Sequence, residues 1–99
     1  MAEWVYFIHP PREDFAATMT PEEQEVWAVH FARLQRLTAE GTMILAGPTL
    51  GPVNTGIAVF EAPDLAAAEK LMNEDPAVAS GIATGELRPF VVSLLRGRD

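Results

Sequence analysis

The chain has 99 residues, 48% of them hydrophobic, with fourteen acidic against seven basic side chains and a formal net charge of -7. That acidity repels phosphate backbones and excludes nucleic acid as a partner, and no apolar run approaches the ~18 residues of a membrane span. Cysteine is absent, which removes disulfides, thiolate nucleophiles and cysteine metal sites together. A chain of this length makes one domain, residues 1–99, burying about 60–65% of its unfolded surface, so a second subunit would add useful apolar burial. Met1 is followed by Ala2, Glu3 and a strand-like run, with neither a basic segment nor a long apolar one, which predicts a cytoplasmic location.

Trp4-Val5-Tyr6-Phe7-Ile8 is aromatic and β-branched and stops at His9-Pro10-Pro11, the pattern of a strand. Residues 10–19 read as a loop. Thr20-Pro21-Glu22-Glu23 then combines an N-cap, a first-turn proline and the acidic partner of a capping box, the clearest helix start in the chain. From there Val26, Trp27, His30, Phe31, Leu34, Leu37 and Thr38 recur at helical spacing until Gly41. Thr42 to Ala46 and Gly56 to Phe60 read as two strands around an irregular Gly/Pro hairpin loop. A second helix runs from Pro63-Asp64 through Met72, and Asp75-Pro76 caps one further turn ending at Gly81. Glu86 to Leu95 is the last strand, placed at a sheet edge or bulge by Pro89, which cannot donate to a ladder.

The order βαββαβ predicts an α+β, ferredoxin-like fold: a four-stranded antiparallel sheet with two helices on one face, the first and third strands central. Both sheet faces are apolar, since Trp4, Tyr6 and Ile8 are backed by Val5 and Phe7. An uncovered apolar face of that size predicts a homodimer packed sheet to sheet.

Helical projection puts His30 among Trp27, Phe31 and Leu34, facing the sheet, with Ala32, Arg33 and Arg36 pointing away. It is either a core histidine bonded to a backbone carbonyl or a general base, for which an imidazole with a reference pKa of about 6.5 suits neutral pH. Asp75 is either a plain helix cap or the carboxylate that orients His30. The fold brings the end of the first strand, the first half of the first helix, the Gly47-Pro48 turn and the end of the second helix to one end of the domain. Arg12, in the loop at that end, is the candidate to receive a substrate carboxylate. With two histidines, no cysteine and no HExxH spacing, no metal site is expected.

The chain resembles the YCII-related (YciI-like) proteins. The likeness is carried by the Trp4–Ile8 strand, His30-Phe31-Ala32-Arg33-Leu34-Gln35, Ala46-Gly47-Pro48, Asp75-Pro76-Ala77-Val78-Ala79-Ser80-Gly81 and Leu87-Arg88-Pro89-Phe90. It departs from the family pattern at Ile82-Ala83-Thr84 and in its long first loop. The resemblance implies a dimeric α+β barrel with a His-Asp pair, mapping onto His30 and Asp75. It also implies proton transfer or elimination, without cofactor, on small aromatic or lactone-like molecules. The expected function is thus a lyase- or isomerase-type enzyme in which His30 takes a proton, Asp75 supports the imidazolium, and backbone N–H groups near Gly47 or Gly81 face a developing oxyanion. The alternative is a non-catalytic module that binds a small molecule in the same place or is purely structural.

Overall fold

The computed structural model describes residues 1–97 and orders them as β1 (Ala2–His9), α1 (Phe15–Thr18), α2 (Pro21–Glu40), β2 (Met43–Pro48), β3 (Gly56–Ala62), α3 (Leu65–Asn73), α4 (Pro76–Ala79) and β4 (Thr84–Phe90). The expected capping box is present: the Thr20 side chain accepts from the Glu23 N–H at 3.2 Å and the Glu23 carboxylate accepts the Thr20 N–H at 2.8 Å. Gly41 closes α2 in the left-handed region, where a glycine adopts φ 88° without a Cβ penalty.

The strands form one antiparallel sheet in the order β2-β3-β1-β4, with β1 and β3 central. Pro89 lies in the edge strand β4, opposite Trp4. Trp4, Tyr6 and Ile8 of β1 and Ala58, Phe60 and Ala62 of β3 pack with Leu37 of α2, Met72 of α3 and Ala77 of α4 into one core. The ferredoxin-like arrangement is therefore built as the pattern of elements demands, with the helices on the Tyr6 side of the sheet.

Two stretches differ from the sequence reading. Phe15–Thr18 forms a short helical turn inside the expected loop, because Phe15 is buried and its ring stacks edge-on against Trp27 at 4.7 Å. The last strand ends at Phe90 rather than Leu95. Phe90 pairs with Glu3, one residue from the start of β1, so β1 has almost no further length to pair with; the Val92 N–H turns instead to the Glu3 carboxylate at 2.8 Å. On the sheet face away from the helices, Val59 and Leu45 border a depression with Phe90 to Leu95, while Val91 and Leu94 stay exposed.

Candidate functional site

The helical face that begins at Trp27 covers the Met43 end of β2 and stands clear of the sheet toward Pro48. The wedge between them is a cavity of about 760 Å³. Its floor is Tyr6 and Ile8 of β1, Ala46 to Pro48 of β2 and Gly56 to Ala58 of β3; its wall is Trp27, His30, Phe31, Leu34 and Thr38 of α2. Phe31 sits on the inward stripe yet is 60% exposed, because what stands opposite it is open space rather than side chains.

Behind the wall lies Asp75, completely excluded from solvent. It begins α4 as an N-cap with Pro76 at the first helical position, and Oδ1 accepts the Ala77 N–H at 2.9 Å. The same oxygen lies 2.7 Å from Nδ1 of His30, and Oδ2 accepts the Tyr6 hydroxyl at 2.7 Å. One oxygen thus both caps α4 and lies against the His30 ring.

Arg33 completes the cluster. Helical projection aims it outward, but its long side chain swings back so that Nη2 donates to the Leu71 carbonyl at 2.7 Å and Nη1 comes within 3.8 Å of Asp75 Oδ2. Leu71 is in the last turn of α3, where carbonyls lack helical partners and a cation is favourable. Nη1 itself is buried without a hydrogen bond. A buried carboxylate left unpaired would be costly, and here every lone-pair direction is met by a donor or a positive charge.

Burial pushes the Asp75 carboxyl up, but hydrogen bonds from His30 and Tyr6, the attraction of His30 and the Ala77 N–H outweigh it and hold the group below its ordinary 3.8. Burial, then the Asp75 charge and the hydrogen bond to it, push the Tyr6 phenol well above its ordinary 10.0. Tyr6 is thus a fixed donor and Asp75 a fixed acceptor. An ionised carboxylate can only accept, so the ring nitrogen facing it carries the hydrogen, and a neutral His30 keeps its lone pair on Nε2. No described residue hydrogen-bonds Nε2, and the ring belongs to the cavity wall with Trp27 packed at 5.5 Å. Such an arrangement can accept a proton from a molecule in the cavity while the carboxylate supports the resulting imidazolium.

The other residues expected at the site divide. Gly47 and Pro48 line the cavity. Arg12 does not: its guanidinium is spent on both Glu23 oxygens at 2.8 and 2.9 Å, on the Thr18 carbonyl and hydroxyl, and on the Phe15 ring face. Gly81 also lies outside the lining, and its N–H is donated to the Val78 carbonyl at 3.0 Å, leaving none for an oxyanion. His9 pairs with Glu86 on the sheet surface at 2.9 Å. Tyr6 and Arg33, by contrast, are site residues that sequence reasoning passed over.

Fold and site together define a ferredoxin-like α+β domain with an imidazole in the wall of an apolar cavity and a buried carboxylate behind it. The chain belongs to the YCII-related domain family, which it matches over residues 4–91. No curated protein matches the chain. Among solved structures it is similar to 5-chloro-2-hydroxyhydroquinone dehydrochlorinase (TftG) from Burkholderia phenoliruptrix AC1100, in complex with 2,5-dihydroxybenzoquinone. That likeness has a TM-score of 0.63 at 18% identity, covers 88% of this chain and 93% of the other, and shows a shared fold.

Replacing Tyr6 by Phe removes one donor from a buried carboxylate and little else, so unfolding in urea should cost about 1–3 kcal/mol less than for the native chain; an unchanged midpoint would contradict the role given to the hydroxyl. A second outcome concerns acid. The hydrogen bond from Arg12, followed by the Thr20 N–H, draws the Glu23 carboxyl from its ordinary 4.5 to about 2. A depressed folded value contributes stability above the unfolded pKa and loses it as pH falls through the folded one. Native-chain stability should thus decline as pH falls from 4.5 toward 2, and Arg12→Ala should flatten that decline. Asp75 acts in the same direction in both proteins, so identical pH curves would remove Glu23 as a cause.

Proposed function

We propose that the protein is a cofactor-independent small-molecule enzyme of lyase or isomerase type, with His30 as general base and Asp75 as the group that orients it. The single observation that carries this reading is the 2.7 Å contact between His30 Nδ1 and the buried Asp75 oxygen, made with the imidazole in the wall of a cavity. Nε2 takes a proton from a C–H or O–H of the bound molecule, and the positive charge so formed rests beside the Asp75 carboxylate. The proton then returns at another position, giving an isomer, or stays on His30 while a leaving group departs, giving a lyase product. Gly47 and Pro48 border the bound molecule; Arg12 and Gly81 have no part in it. The dehydrochlorinase of similar fold, whose named reaction is an elimination and which is held in complex with a small ring compound, supports the choice of reaction class.

A purely structural module would be expected to have a filled, dry interior around His30, which the open cavity argues against; a binding module would share the cavity, and turnover separates it from the enzyme. In a turnover screen of small phenols and lactones, His30→Ala should lower kcat by about 10²- to 10⁴-fold with an unchanged far-UV CD spectrum. His30→Gln, which keeps a donor toward Asp75, should do the same if the alanine variant folds poorly. Native-level turnover in either folded variant would contradict the assignment.

We also propose that the chain works as a homodimer joined through the sheet face away from the helices, where Leu45, Phe90 and Val91 are exposed. Sedimentation at twice the 10.8 kDa chain mass is expected at micromolar concentration, and Val91→Glu should weaken the dimer; a monomer at that concentration would contradict it.

A further inference from the structure

We infer that the cavity beside His30 selects an uncharged ligand and rejects anions and cations alike, because among the described residues its lining carries no fixed charge and the nearby arginines are engaged elsewhere. The inference takes this cavity as the binding site, as the enzymatic reading does, but it concerns recognition and not turnover. Among the described lining residues there is no Asp, Glu, Lys or Arg. The nearby arginines are committed elsewhere: Arg12 to Glu23, Arg33 to Leu71 and Asp75, and Arg36 to Glu40.

An entering carboxylate would lose its water against apolar side chains without a counter-charge, which is the costly case for a buried ion. Behind the wall, the Arg33 cation is engaged by Asp75 and the Leu71 carbonyl and offers the ligand no counter-charge, and the net charge of -7 on the chain is of the ligand's own sign. A cation fares little better. Asp75 is completely buried with its oxygens taken by His30, Tyr6 and Ala77, so the ligand cannot touch it. What the lining does offer is hydrogen bonding. The Asn54 amide nitrogen is spent on the Thr49 and Gly51 carbonyls at 2.9 and 3.2 Å, which fixes its orientation and leaves its oxygen to accept from a ligand N–H or O–H. An anion created inside the cavity by proton transfer to His30 then has the imidazolium as its one counter-ion.

Benzamide, benzoate and benzamidinium are close in shape and differ in charge, and their binding to the full chain at neutral pH can be followed by amide NMR shifts. Benzamide should bind about ten-fold or more tighter than either ion, the order expected when a buried charge finds no partner. Gln35 and Thr38 are exposed residues on the rim, so Gln35→Arg, or Thr38→Arg if the first folds poorly, should raise benzoate affinity to that of benzamide or beyond. Native-chain binding of benzoate or benzamidinium as tight as benzamide would overturn the inference. So would the absence of benzamide shifts at millimolar concentration, or no gain of benzoate affinity in a folded arginine variant. Each of these results leaves the loss of turnover in His30→Ala as a separate measurement, so failure of charge selection is distinguishable from failure of the acid–base reading.

Discussion

A single buried carboxylate ties this structure together. Asp75 starts α4, and through its two oxygens it gathers β1 by the Tyr6 hydroxyl and α2 by His30, with Arg33 beside it. These partners come from 45 and 69 positions earlier in the chain, so the bonds fix tertiary placement rather than local conformation. A carboxylate excluded from water is tolerated only when donors surround it, and each hydrogen bond to such a charged group is worth about 1.5–3 kcal/mol. The constraint works both ways. The helices must stand where Asp75 is satisfied, and the imidazole that satisfies it is thereby turned with Nδ1 inward.

From that fixed orientation follows the character of the cavity. Because α2 is held at His30 and packed at Leu37, yet stands away from Ala46 to Pro48, the space lies chiefly between helix and strands, with Pro10 and Asn54 added from loops. The long first loop is itself tied down, Arg12 gripping Glu23 and Thr18 while the Asp14 N–H reaches the Pro52 carbonyl of the β2–β3 loop at 2.9 Å. Arg12 thus braces the first loop against the start of α2, and the described cavity lining carries no arginine.

Local signals in the sequence were strong where local physics decides the outcome. Thr20-Pro21-Glu22-Glu23 specifies a capping box, Gly41 a left-handed stop, Pro89 an edge strand and Asp75-Pro76 a helix start, and each of these forms. The apolar stripe also identifies the face on which His30 lies. What could not be read along the chain depends on reach and distance. Tyr6 looks like any aromatic residue of a central strand, and only its buried hydroxyl, which requires a partner, hints at more. Helical projection points Arg33 away from the sheet, but a side chain of that length bends back to where a carbonyl and a carboxylate await it. Phe15 gave no periodic signal, because a four-residue helix is too short to have one.

The central claim is that Asp75 fixes His30 so that the basic nitrogen faces the cavity. It is tested most directly by nitrogen-15 NMR of the histidine side chains at a pH where the ring is neutral, with a His9→Gln chain to assign the two signals. The account predicts that His30 carries its hydrogen on Nδ1 with Nε2 unprotonated, and that Asp75→Asn releases this preference. A His30 ring that holds its hydrogen on Nε2, or that exchanges between tautomers in the native chain as a free histidine does, would contradict it.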